Sequence, residues 1–362
     1  MAAKLSIAIT QLLQQGTVIP AHPLALNQDL SINETRQRLL TKYYMASGAG
    51  GVAVGVHTTQ FEIRKPEINL LETVLRMAAE EIEQAQLTRP FIKVAGICGP
   101  TEQAVSEAKM AVKHGYHFGL VSMGGLSDYT EVELIKRAIR IAAIIPVFGF
   151  YLQPAVGGRL LSYEFWRSFA EIPNVQAIKV AAFNRYQTLD VVRAVCDSSR
   201  REEIALYTGN DDNIVADLLT PYRFVVNGQQ VEKRFVGGLL GHWAVWTTKA
   251  VELFAEIKNC VGNNYAGAEK LLSKGMEVTD MNAVIFDVQH SFKGCIAGIH
   301  EVLRRQGLLE GIWCLSPEEE LSSGQAEEID RLHKMYPSFT DDEFVKRFLN
   351  ENYLIKTAIS LT

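Results

Sequence analysis

The sequence predicts an α/β fold, a (β/α)8 TIM barrel, followed by a C-terminal helical extension. Three observations point there. Short β-branched or apolar runs alternate with longer segments whose apolar residues recur every three or four positions, the periods of strands and amphipathic helices. Eight such pairs occupy about 240 residues, the usual extent of such a barrel. Individual runs such as Val175-Gln-Ala-Ile-Lys-Val are nearly continuously apolar, as strands covered on both faces must be.

In chain order, residues 1–16 carry one lysine and a short apolar stretch interrupted by glutamines, with no convincing small-residue cleavage site. They read as a short amphipathic helix rather than a secretion signal. Strands are expected at Val18–Leu26, Gly51–Val56, Phe91–Cys98, Phe118–Met123, Val147–Leu152, Val175–Phe183, Ile204–Asn210 and Phe235–Gly241. Helices are expected at Glu34–Ser47, Leu70–Gln86, Glu102–His114, Glu131–Ile144, Tyr163–Glu171, Thr188–Ser198, Ile214–Leu219 and Ala244–Lys258. Residues 221–234 break the alternation, and Asn227-Gly228 is a hairpin signal, so a loop or small ribbon precedes the last strand. Beyond Asn263 only helical periodicity continues, in Tyr265–Val278, Phe292–Gln306, Pro317–Met335 and Asp341–Asn352. Ser316-Pro-Glu-Glu offers a cap, a proline at the first helical position and first-turn acids for the third of these. The division is a barrel over 1–262 and a helical region over 263–362, whose end after Tyr336 reads as a docked helix without chemistry.

Composition narrows the function. Of 362 residues, 48% are hydrophobic and 21% charged, enough apolar surface for a large core and unlike a disordered or collagen-like chain. Lys and Arg number 36 against 41 Asp and Glu, a net charge of -5 without a basic block interleaved with aromatics, so nucleic acid is not an expected partner. The five cysteines are scattered, with neither a Cys-x-x-Cys pair nor clustered histidines. They read as reduced thiols of a cytoplasmic protein, without the spacing of a zinc site. The apolar neighbourhood Ile141–Leu152 is broken by Pro146 and falls short of the ~20 residues a membrane span needs.

In a barrel, chemistry belongs at the C-terminal strand ends and the loops after them. Lys179 stands out there, because it lies in an apolar strand with no adjacent carboxylate. Desolvation drives a lysine toward its neutral amine, which attacks carbonyls to form Schiff bases. The bland alternative is a lysine that snorkels to solvent or pairs with a distant acid. Lys93 is a second strand lysine, several residues before its strand ends.

Pro146-Val-Phe-Gly-Phe-Tyr-Leu-Gln-Pro154, then Leu160-Leu-Ser-Tyr-Glu, then Ile172-Pro-Asn-Val-Gln-Ala-Ile-Lys179, resembles the dihydrodipicolinate synthase/N-acetylneuraminate lyase family over roughly residues 17 to 320. The resemblance implies a class I aldolase in which Lys179 forms a Schiff base with a 2-oxo acid, pyruvate being donor or product, and for that chemistry no metal or organic cofactor is expected. Tyr151, of the Tyr-x-x-Pro strand end, would be its proton shuttle; read without the resemblance it is a core or rim aromatic. The pyruvate-binding loop would be His57-Thr58-Thr59-Gln60-Phe61, with Thr58 and Thr59 offering donors to the substrate carboxylate. His57, which replaces a glycine of the family pattern, would be either an extra acid–base group or a packed imidazole.

Departures bear on the reaction. Ser122-Met-Gly-Gly125 stands where the synthases carry relay tyrosines, Val156 where they carry an arginine for the aldehyde's carboxylate, and Val180 where a glutamate usually follows the lysine. The lysine-biosynthetic synthase reaction is therefore not expected, since its second substrate would lose a charge-assisted partner worth about 1.5–3 kcal/mol. Tyr207-Thr-Gly-Asn-Asp-Asp212 resembles the segment with which the family's sugar-acid lyases hold hydroxyls, so Gly209, Asp211 and Asp212 are substrate-binding candidates; either aspartate alternatively caps the next helix. Leu240, within Gly237–Gly241, is placed at the substrate rim, where a phosphate cradle is also conceivable. A dehydratase acting on the same imine and a silent 2-oxo-acid-binding protein are the alternatives. The resemblance also implies a homo-oligomer.

Overall fold

A computed structural model describes residues 4–359, with side chains described through residue 352; the first three residues of the N-terminal helical reading and the last three of the chain lie outside it. The strands are β1 (Val18–Pro20), β2 (Gly51–Val54), β3 (Ile92–Ile97), β4 (Phe118–Val121), β5 (Val147–Leu152), β6 (Val175–Ala181), β7 (Ala205–Thr208), β8 (Tyr222–Val226), β9 (Gln229–Lys233) and β10 (Phe235–Leu240). The helices are α1 (Ile7–Gln15), α2 (Glu34–Ala46), α3 (Leu71–Gln84), α4 (Thr101–Lys113), α5 (Glu131–Ala142), α6 (Tyr163–Ala170), α7 (Arg185–Cys196), α8 (Ile214–Leu219), α9 (Thr247–Gly262), α10 (Ala268–Ile285), α11 (Cys295–Arg305), α12 (Gln325–Met335) and α13 (Asp342–Ile359). No helix among the described residues is long and apolar enough to cross a membrane.

Eight strands pair in parallel in the order β1-β10-β7-β6-β5-β4-β3-β2. A parallel bridge between Ala21 and Ala53 and the His22 N–H bond to Ala53 O (2.8 Å) bring β1 against β2, giving the nearly closed TIM barrel the sequence predicts. The two faces of each strand differ as a period of two requires. Phe148, Phe150 and Leu152 of β5 and Ala177 and Ala181 of β6 fill the interior, whereas Val147, Tyr151, Ile178 and Val180 pack against the outer helices. Phe148 meets Phe118 and Tyr207 edge-on at ring separations of 6.1 and 5.2 Å, so the lower barrel is packed solid. Below it α1, capped by Ser6, contributes Ile9 and Leu13 to the same core, and Tyr207 Oη donates to Leu13 O at 2.9 Å.

The break at 221–234 is the antiparallel ribbon β8–β9, turning through Asn227 (φ 50°) and Gly228 (φ 78°), both left-handed as a primed hairpin turn demands. Two readings need correction. The first strand stops at Pro20 instead of Leu26, because Pro20 and Pro23 have no N–H to continue a ladder. The third tail helix begins after Gly324, not at Pro317: Ser316 makes a single turn, its Oγ accepting the Glu318 N–H and its carbonyl the Glu319 N–H, and the Glu319 carboxylate turns inward to accept the Ile296 N–H at 2.7 Å. The tail packs on the barrel through buried contacts, among them Tyr43 Oη donating to Asp341 at 2.7 Å.

Candidate active site

The packed interior ends below a cavity of about 60 Å³ at the C-terminal strand ends, where barrels place their sites. Lys179 on β6 enters it from the side. Its period-two neighbours Ala177 and Ala181 are small, and its register partner on β5 is Phe150, over whose ring the ammonium nitrogen sits at 4.3 Å from the centroid. The aliphatic stem lies over Gly209, where a Cβ would stand 2.5 Å from Lys179 Cε, so only glycine accommodates this rotamer undisturbed. Lys179 is 7% exposed and forms no direct ion pair among the described residues. Burial pushes its amine down to about 8, opposed by Asp211.

Asp211 follows β7 and lines the same cavity. Its Oδ1 accepts the His242 N–H at 3.0 Å, and Asn282 Nδ2 from α10 donates to its backbone carbonyl at 2.7 Å. Burial raises its carboxyl to about 7, with the His242 N–H and Lys179 opposing. His57 also lines the cavity, and burial, aided by Lys179, lowers it to about 4, so it is a neutral imidazole, edge-on to Phe61 at 5.9 Å.

Lys179, His57, Thr58, Gly209 and Asp211 are thus brought together, and the other sequence candidates stand elsewhere. Tyr151 occupies the opposite face of β5: its ring packs on Trp166 at 5.4 Å and its hydroxyl accepts the Leu161 N–H at 3.4 Å. Thr59 is buried behind the loop, its hydroxyl accepting the Gly55 and Val56 N–H groups and donating to His22 O at 2.7 Å. It shapes the loop that presents Thr58. Asp212 is exposed, its carbonyl accepting Thr279 Oγ1 at 2.9 Å. Leu240 packs in the outer core, and its neighbour Gly241 is the residue that lines the cavity. Lys93 lies at the start of β3, where its N–H donates to His117, away from the cavity. Arg159 binds the carbonyls of Leu126 and Tyr129, anchoring a loop.

Sequence reasoning missed the cover. Phe286, Phe292, Cys295 and Ile299, all from the C-terminal extension, line the cavity opposite the strands. Phe292 (φ 67°) touches Phe183 (φ 50°) at 6.0 Å, two aromatics held in left-handed backbone directly over the site, each at a cost of order 1–3 kcal/mol. Gln153 and Phe150 are further lining residues without a sequence signal of their own.

The β7 loop is anchored by Asp217 of α8, fully buried, which accepts from Thr208 Oγ1 (2.7 Å), Asn210 Nδ2 (2.9 Å) and Tyr222 Oη (3.0 Å) and pairs with Arg185. Asp217→Ala strands these donors, and a loss of about 3 kcal/mol is expected by denaturant titration. A loss under about 0.5 kcal/mol, the range of ordinary surface changes, would show that the anchor is dispensable.

Solved structures similar to the chain include dihydrodipicolinate synthase from Oceanobacillus iheyensis, with TM-score 0.71 and 17% identity over 91% of this chain and 99% of that one. The chloride-inhibited dihydrodipicolinate synthase of Acinetobacter baumannii complexed with pyruvate gives TM-score 0.71 and 16% identity over 88% and 98%. N-acetylneuraminate lyase from Fusobacterium nucleatum gives 0.65 and 18% over 90% and 99%. No protein-family model and no curated protein matches the chain. The chain has the fold of these synthases and lyases.

Proposed function

We propose that the chain is a divergent member of the dihydrodipicolinate synthase/N-acetylneuraminate lyase family and acts as a Schiff-base-forming lyase on a 2-oxo acid, with pyruvate as donor or product. The observation that carries this reading is a desolvated amine, Lys179, at the C-terminal end of β6 and facing the one cavity that also holds Thr58 and Asp211. With its amine lowered to about 8, the fraction that is neutral near physiological pH attacks the keto carbon, and the resulting iminium is the electron sink for carbon–carbon cleavage or formation. Thr58, whose hydroxyl donates to His22 O at 3.2 Å, offers its backbone N–H to the substrate carboxylate from the loop after β2.

The substrate is compact. Asp211 lines the cavity but Asp212 does not, so the pair of hydroxyl acceptors read from the sequence is not assembled, and most of the wall is apolar. A silent 2-oxo-acid-binding protein is the second reading, favoured by the position of Tyr151 outside the cavity. Product analysis after incubation with small 2-oxo acids, with and without aldehydes, and with hydroxylated sugar acids tests both. Pyruvate appearing with an aldehyde, or consumed with one, is expected; a dehydrated 2-oxo product would assign carbon–oxygen cleavage instead. Binding without turnover across the panel would favour the second reading. Homo-oligomerisation is tested by sedimentation of the full chain, and a monomer at micromolar concentration would contradict it.

A further inference from the structure

We propose that Asp211 is the acid–base residue of this site, carrying the protons that the tyrosine of related sequences would be expected to carry. Asp211 takes this role only if Lys179 forms the imine.

Three observations lead to it. First, Tyr151 is one residue out of phase: Phe150, not Tyr151, is the register partner of Lys179, so the tyrosine hydroxyl lies on the outer face of β5 at the Leu161 N–H. Second, Asp211 and Lys179 face one cavity from neighbouring strand ends, joined by the Gly209 N–H bond to Val180 O at 2.7 Å, without forming a direct ion pair among the described residues. A substrate carbon bonded to Lys179 therefore has a carboxyl group beside it. Third, the carboxyl is held rather than mobile, with the His242 N–H on Oδ1 and the Asn282 amide on the backbone carbonyl.

The other polar cavity groups fit the role less well. Burial keeps the Cys295 thiol far above its ordinary range, and His57 lies too low to hold a proton at neutral pH. The titratable groups facing Asp211 are Lys179 from β6, Asp212 from its own loop and Cys295 from α11, with His242 supplying a backbone N–H from the loop after β10. Burial raises the carboxyl to about 7 and lowers the lysine to about 8, so the two groups titrate close together, and the amine–acid form is the reactive minority of the pair near neutrality.

The proton count closes. The neutral amine of Lys179 adds to the keto carbon, and its proton passes to the oxygen, giving a carbinolamine. Protonated Asp211 donates to that hydroxyl, the C–O bond breaks and water leaves, producing an iminium and a carboxylate. The carboxylate then takes a proton from the adjacent carbon; the C–H electrons form the enamine double bond, and the C=N π electrons return to nitrogen. On attack of the enamine carbon at an aldehyde, Asp211 returns the proton to the new alkoxide.

The test is exchange of the methyl protons of pyruvate in D2O, followed by NMR on the full chain, beside borohydride trapping of the imine. Asp211→Asn, isosteric and still able to accept from His242 N–H, is expected to retain a trappable adduct on Lys179 at long incubation, which also reports folding, and to lose exchange by about 100-fold or more. Tyr151→Phe is expected to exchange within about threefold of wild type, well below the 100-fold or larger loss typical of a missing acid–base group. Exchange in the wild type rises with pH as Lys179 deprotonates and falls as Asp211 does, a bell near neutrality; Asp211→Asn keeps only the rising limb. Should Asp211→Asn not fold, Asp211→Ala with added formate serves, with formate restoring exchange. An adduct accompanied by wild-type exchange in the Asp211 variants, or exchange lost in Tyr151→Phe alone, overturns the assignment. Absence of any adduct in the wild type overturns it together with the Schiff-base reading, so the two failures are distinguishable.

Discussion

Lys179→Ala is expected to abolish the imine and to lower turnover on the order of 10³-fold or more, as removal of a covalent nucleophile does. Among the described residues no other lysine lines the cavity, and Lys93 sits at the opposite end of the barrel strands. Lys179→Arg is expected to fail equally, because a guanidinium stays charged and cannot attack a carbonyl. Lys179→Met keeps the stem over Gly209 and Phe150 and separates chemistry from packing. The sign of its stability effect follows from proton linkage. Burial lowers the folded lysine to about 8 from 10.5, so between those values this lysine binds more proton in the unfolded chain and its contribution to stability rises with pH. Lys179→Met loses that rise, and its advantage over wild type is greatest below about pH 8. Urea titrations of both chains at several pH values check this, and a wild-type-minus-variant difference that is flat across the window would contradict a desolvated lysine.

Gly209→Ala is the second large effect, and here function and stability part company. The added methyl meets Lys179 Cε at 2.5 Å and Ala181 Cβ at 2.9 Å. The lysine end is flexible and yields by changing rotamer, so the fold is expected to lose only about 1–3 kcal/mol. The amine, however, leaves its place over Phe150, and misplacing a reacting atom by about 1 Å costs on the order of 10²-fold in rate. Rates of borohydride-trapped adduct formation, compared with melting curves, separate the two. A Gly209→Ala variant that is fully active, or one that is merely unfolded, would show that the glycine does not position the lysine.

Much of this site was legible because strand parity and loop position are written in the chain. Lys179 stood out as a cation in an apolar strand, and the position of Asp211 after a strand end placed it at the mouth of any barrel. Tyr151 stands outside the cavity for an instructive reason. A period-two element sends adjacent residues to opposite faces, so a one-residue difference in how β5 meets β6 exchanges Tyr151 for Phe150 at the cavity. Sequence spacing to Lys179 carries no information about that register. The cover escaped notice because Cys295 and Ile299 lie on α11, whose periodicity shows a buried face but not its partner, and Phe286 and Phe292 lie in the turns before it. The Ser316 cap misleads for a similar cause: Glu319 satisfies the N–H of Ile296 at the start of α11 rather than a helix of its own.

The most direct measurement is intact-mass spectrometry after borohydride reduction in the presence of pyruvate, with peptide mapping and Lys179→Ala as the control. The expected result is one pyruvyl adduct per chain, mapped to Lys179 and absent from the variant. An unmodified wild-type chain with pyruvate and with longer 2-oxo acids, or an adduct that persists in Lys179→Ala, would contradict a Schiff-base site at Lys179.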